Sequence, residues 1–489
     1  MAGDFQFISI PAGNNPTKDK AARRQARSHA VKKALEKKRT RQQLSGSNFA
    51  ITTLSNPCTS NTTITSRARA PSPRSLPCQI LGSALDPFQT LAVDSSRMQV
   101  LLGDYRARQA PEPVFSLADA LAFQSFRSVF RSGFDEPALA NAVMLALAFA
   151  VTGSCGRSSR SSTDLDSGLD RECLRYQGQA ITYIRERMEC LDSAASEATI
   201  GAILLVVGVA ACLGLKDEVE LHMGAVKQLL KICRERSVYL TPGIKRAIFW
   251  QDLNASILSG STRIVTHTTF SELLWTRDPF VPNFYRLPQG FQSHTHTLSE
   301  EFRDILKDLH ALQCIREIPK TPETKDNVML MLNINSHTAS LQSRLVDLGL
   351  KESERLSLFP LQECVRLVAY LCSVMLCCKV WCELVVPSHI SSQLLINLRE
   401  TLEPDTLTLS WAEDPNPNSS LLTWLLYIGG AFAPTGPTRS GYLALLRSNN
   451  SSICNDCSWP ELYKVMKQFI WADEAFLKPV RALWVEASG

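Results

Sequence analysis

From Asp86 onward the apolar residues of this chain return at intervals of three and four, segment after segment, and never settle into the alternation a half-buried strand requires. That pattern dictates an all-α architecture. Its centre of gravity is the stretch Glu220 to Phe280, which reads as helix, turn, helix and then an irregular Trp-containing segment. Leu221, Ala225, Leu229, Ile232 and Cys233 fall on one helical face, with His222, Lys227, Lys231 and Arg234 left to water. Thr241 and Pro242 then open a second helix, Thr as N-cap and Pro in the first turn, whose apolar side is Ile244, Ala247, Ile248, Leu253 and Ile257. Trp250 on that helix, with Trp424 and Trp471 further on, is expected to anchor the core.

Other segments carry the same signature. Leu117–Phe130, Pro137–Val151, Arg171–Leu191 and Ser196–Leu213 read as helices, the last apolar enough to be buried all round. A polar loop is expected over residues 154–168, and 281–297 is a connection broken by Pro282, Pro288 and Gly290. Helices then fit Leu298–Ile315, Lys325–Leu348, Pro360–Val386, Ser388–Leu402, Leu421–Ala433, Arg439–Arg447, Pro460–Phe469 and Glu474–Val485. Their lengths vary and no fixed period repeats, which excludes a regular solenoid. At 489 residues, 45% hydrophobic and 20% charged, the chain can bury a large core as a soluble protein. Ile200–Leu215 is too short to span a bilayer, and the longer apolar run Leu367–Val386 contains Lys379 and Glu383, so both read as core helices.

The net charge of +5 conceals an asymmetry: residues 1–43 carry +8 and the remainder −3. Lys18–Gln43 is rich in helix formers, yet only Ala22, Ala26, Ala30 and Ala34 form an apolar stripe. Such a segment stays frayed until an acidic partner neutralises it. Arg23, Arg24, Arg27, Lys32, Lys33, Lys37, Lys38, Arg39 and Arg41 suit phosphates or the acidic groove of a nuclear import receptor, and a merely solvated helix is the third reading. Ser, Thr, Pro and Asn dominate residues 44–85, which read as a disordered linker. Three regions result: an extended segment and basic arm (1–43), the linker (44–85) and an irregular multi-helix domain (86–489).

Signatures of catalysis are missing. There is no Gly-x-Ser-x-Gly, Walker loop or Gly-x-Gly-x-x-Gly. Asp164, Asp166 and Asp170 lack the ligand order and closing Glu of a calcium loop. Cys454 and Cys457 supply half a tetrahedral site at most, Cys372, Cys377, Cys378 and Cys382 read as small apolar residues of one helix, and His294 and His296 read as exposed. No metal or cofactor is expected. Fifteen scattered cysteines fit reduced thiols, and the opening MAGDFQFISIPAGNN lacks the order of a secretory signal.

Several of these segments resemble the fungal-specific transcription factor domain proteins, in particular the second of the two large helical families that usually follow a binuclear zinc cluster. FQFISIP followed by RRQARSHAVKKALEKKR is similar to the opening of a subgroup without that cluster. LHMGAVKQLLKICRE, the Trp250/Asp252/Ala255 helix, LQECVRLVAYL and LLTWLLYIGGAF resemble family segments, as does the closing SWPELYKVMKQFIWADEAFLKPVRALW. Only Cys58 and Cys78 precede Cys155, so the six clustered cysteines of the zinc module are absent here. The resemblance implies a nuclear transcription regulator, often of metabolic or secondary-metabolite genes, working with the transcription machinery or a partner regulator. Direct DNA contact through the arm and action as an adaptor that never touches DNA both stay open, and a homodimer is compatible with either.

Overall fold

The computed structural model describes residues 92–107, 136–155, 163–318, 328–353, 360–377, 385–402, 417–448 and 458–488. All lie within the unit 75–489. Every regular element among them is helical, and no strand occurs among the described residues. The α-helices are α1 (Ser95–Ala107), α2 (Pro137–Cys155), α3 (Thr163–Met188), α4 (Leu191–Ala194), α5 (Glu197–Cys212), α6 (Lys216–Glu235), α7 (Pro242–Ser259), α8 (Glu300–Glu317), α9 (Val328–Ser353), α10 (Pro360–Leu376), α11 (Val385–Leu402), α12 (Pro417–Ala431), α13 (Pro437–Ser448), α14 (Trp459–Met466) and α15 (Asp473–Ser488). The basic arm, the linker, Leu117–Phe130 and the Cys454/Cys457 pair lie outside the described residues.

The described residues form two hydrophobic cores, and α5 belongs to both. Ser196 caps the helix by accepting from the Thr199 amide at 3.3 Å. Ile200, Ile203, Leu204, Val207, Ala210 and Ala211 join the larger core, which runs on through α6–α15. Ala198, Ala202, Val206 and Val209 face the smaller core, built with Met98 and Leu101 of α1, Leu139, Val143 and Leu147 of α2, and Tyr176 and Ala180 of α3. An all-apolar helix is what a wall between two cores requires. The entry to this wall is pinned by Arg187 of α3, which donates to Thr199 at 2.7 Å and Ser196 at 3.1 Å and pairs with Glu136 ahead of α2.

Helix α6 is turned relative to the sequence expectation. Its buried face is Val219, Met223, Val226, Leu229 and Cys233, whereas Leu221 is 70% exposed and Ala225 half-buried. Steps of four, three, three and four put these five on one stripe that Leu221 does not share. Thr241 accepts from the Ile244 amide at 3.5 Å and Pro242 fills the first turn of α7, as expected. At its other end Gly260 takes the left-handed conformation (φ 67°) that lets the chain leave the helix. The stretch expected as one helix, Pro360–Val386, is two: α10 stops at Leu376, and Val385 and Val386 open α11. Of the expected polar loop at 154–168, the first two residues end α2 and residues 163–168 open α3, while the rest lies outside the described residues.

Candidate functional site: the charge network beneath a connecting strap

Between α7 and α8 runs an irregular strap, residues 261–298, with three short 3₁₀ turns at Ser271–Leu273, Pro282–Phe284 and Gln289–His294. Its backbone lacks a helix ladder, so its polar groups must be met by side chains of the helices it crosses. Buried Asp252 of α7 accepts from the Ile264 and Val265 amides at 3.0 and 3.2 Å. Arg263 lies 3.5 Å from Asp252 and reaches Ser343 Oγ at 2.8 Å and Asp347 at 3.0 Å on α9. The His267 amide donates to the same Ser343 hydroxyl at 3.3 Å. Lys245 of α7 then pairs with Glu272 at 2.6 Å, and Ser336 of α9 donates to the Glu272 carbonyl at 3.3 Å.

The densest part follows. Trp275 stacks on His337 of α9 with ring centroids 3.9 Å apart and planes 9° off parallel. Arg277 donates to one carboxylate oxygen of Asp308 on α8 at 2.6 Å, and Arg344 of α9 donates to the other at 2.6 Å. Asp308 itself is 1% exposed. One carboxylate thus ties strap, α8 and α9 together. Further along, His310 Nδ1 meets the Phe284 carbonyl at 2.8 Å, and the Gly290 amide donates to the Gln468 carbonyl at 2.8 Å. At that crossing Phe291, Trp424 and Phe469 form an aromatic cluster with centroids 5.1–5.4 Å apart.

Burial sets the protonation states. It pushes the Asp252 carboxyl up, against the pull of the two strap amides and Arg263. It holds His337 at about 3, with Arg344 acting in the same direction, so the ring under Trp275 is neutral at pH 7. His267 is lowered by burial and then by Arg344, and His310 chiefly by burial. Cys314 sits 3.6 Å from His310, but burial raises its thiol, which opposes formation of a nucleophilic thiolate. Among the described residues no three His, Cys, Asp or Glu side chains come together as metal ligands. The network's chemistry is cohesion: charge spent on holding a strap to three helices.

Of the residues singled out from sequence, Trp424 and Trp471 are fully buried, with indole N–H groups donated to the Ile470 carbonyl at 3.3 Å and to Asp473 at 2.6 Å. Trp250 is half-buried and packs against the edge of the larger core, edge-on to Phe249. His296 is exposed, but His294 is 3% exposed inside the strap, contrary to expectation. Cys364 and Cys372 are buried, and burial pushes the Cys364 thiol up to about 12. All nine arm residues, Arg23 to Arg41, lie outside the described residues. Sequence reasoning did not single out Arg263, Trp275, Asp308, His337 or Arg344. Apart from the Arg263–Asp252 pair, their charged partners stand 31 to 84 residues away, and no periodicity signals such pairs.

The described residues form an all-helical body whose strap is tied down by its own ion pairs. The chain belongs to the fungal specific transcription factor domain family, whose pattern it matches over residues 116–473. It is by that membership a transcription regulator, and the family works in general in the nucleus with DNA or regulatory partners. A search of curated proteins and a search of solved structures each found no match. Among the described residues no helix is long and apolar enough to cross a membrane.

Proposed function

We propose that this is a nuclear regulator of metabolic or secondary-metabolite genes whose helical body, residues 86–489, is the regulatory module and whose basic arm, residues 1–43, provides the nuclear import signal or the contact with nucleic acid. One observation supports the reading above others: the family match covers the helical body and leaves outside it the segment that carries +8. A strongly cationic segment suits an acidic receptor groove or a phosphate backbone. No metal or cofactor is part of the proposal. The second reading, an adaptor that reaches promoters only through a protein partner, is favoured by the absence of six clustered cysteines in this sequence.

The deciding experiment replaces Lys32, Lys33, Lys37, Lys38 and Arg39 by Ala together. An import role predicts cytoplasmic retention with the melting temperature of the body unchanged. DNA contact predicts that the slope of log affinity against log salt falls by about 4 to 5, at roughly 0.9 per lost phosphate contact. Normal nuclear accumulation with unchanged promoter occupancy defeats both roles and leaves a solvated helix.

A further inference from the structure

Away from the strap, a cleft of about 270 Å³ opens between the C-terminal turn of α7 and helices α9, α10 and α11. Ile257, Val346, Leu367 and Ile390 give it an apolar wall. The rest of its rim carries flat polar groups. His389, Gln393 and Asn397 stand at steps of four on α11 and therefore share one face. Glu363 and Arg366 of α10 complete the rim.

The rim is held in place from behind. Arg366 makes two bonds of 2.6 Å to the Glu363 carboxylate and one of 3.0 Å to the Leu345 carbonyl. Its guanidinium lies where a Cβ on Gly349 would stand, 2.7 Å from that position. His389 is anchored on the Ile257 backbone, and burial keeps the ring's pKa low. By contrast, the Gln393 and Asn397 amides have no side-chain partner among the described residues.

These features narrow the ligand. The Arg366–Glu363 fork cancels its own charge, so neither an anion nor a cation finds an uncompensated partner. A wholly apolar molecule would strip water from the two amides and the carboxylate without replacing their hydrogen bonds. The volume falls below the roughly 300–1,000 Å³ of pockets for drug-sized ligands. What remains is a compact, neutral molecule with donors and acceptors along its edge and a less polar face. Amides and carboxylates present paired polar atoms that match neighbouring hydroxyl groups. We propose that this cleft binds one small uncharged polyhydroxylated molecule of monosaccharide or cyclitol size.

The test titrates the purified full chain by calorimetry with D-glucose, D-galactose, D-xylose and myo-inositol, with citrate and indole as charged and apolar contrasts. At least one of the four polyols is expected to saturate at one per chain. Asn397→Leu and Gln393→Leu, which remove side-chain amides with no described partner, should each weaken that binding about tenfold, the scale of one lost hydrogen bond, without changing the melting temperature. The five-site arm variant should bind the polyol as the parent does, which separates this proposal from the arm's role. Failure of all four polyols to saturate overturns the proposal, as does tighter binding of citrate or indole in the cleft. Equal polyol affinity in both Leu variants and the parent overturns it too.

Discussion

Gly290 is the residue on which the strap's far end turns. Its amide bonds to Gln468, and a Cβ built on it would stand 2.5 Å from the Phe469 ring, which itself stacks on Trp424. The glycine is there for close approach. Gly290→Ala should therefore destabilise the protein by about 1–3 kcal/mol through overpacking, and Trp424→Ala by about 3–5 kcal/mol through the void it leaves. Denaturant unfolding of both variants checks the order; a stable, fully folded Trp424→Ala chain that loses only regulation would move that Trp from core to ligand contact. His337 makes a pH-dependent contribution. Its folded pKa near 3 lies below the unfolded value of 6.5, so acid protonates the unfolded chain first. Stability from this residue is complete above pH 6.5 and falls at up to about 1.4 kcal/mol per unit as the pH drops toward 3. Arg344 and Arg277 face it as cations and lower its pKa further, while the Asp308 backbone acts in the opposite direction. His337→Phe should stack on Trp275 without titrating, and should lose about 2 kcal/mol less than the parent between pH 6.5 and 5. Parallel curves for the two proteins would refute the assignment.

At the scale of the element, the strap is held both by charge and by the apolar side chains Val265, Leu273, Phe291 and Leu298 that it buries in the larger core. Asp308→Ala would leave Arg277 and Arg344 without their shared carboxylate; because both arginine ends reach solvent and Arg277 keeps Asp304, the cost should be about 1–3 kcal/mol. Trypsin should then cut at Arg277 or Arg286 before it attacks the helices; a strap as resistant as the parent's would mean that the network is not what fastens it. The elements themselves differ in how far their sequences announce them. Thr241–Pro242 at the start of α7 and the apolar run of α5 were legible, because capping chemistry and all-round apolarity are local properties. The register of α6 was not: leucines lie on both of its faces, so Leu221 fits a helical stripe on paper and points to water in the structure. The break between α10 and α11 has no local signal, because the apolar run crosses it without a Gly or Pro. Nothing local could have revealed the Asp308 node of the strap network, since Asp308 acquires its role from Arg277 and Arg344, 31 and 36 residues away along the chain.

At the scale of the molecule, α5 ranks above every other helix. Its two faces serve two cores, so neither core keeps its boundary if α5 unfolds. The amides of Ile203 to Val209 should accordingly exchange with solvent only through global opening, at the slowest rate in the chain. Faster exchange there than in α10 would show that the two cores come apart separately. A further consequence concerns inheritance. Successive positions of α5 answer to different neighbours, Val206 to α1–α3 and Val207 to the larger core, so a change of size at one is compensated across one side and a change at the next across the other. Over evolutionary time this one helix should therefore record two separate histories of substitution, interleaved letter by letter in sixteen residues.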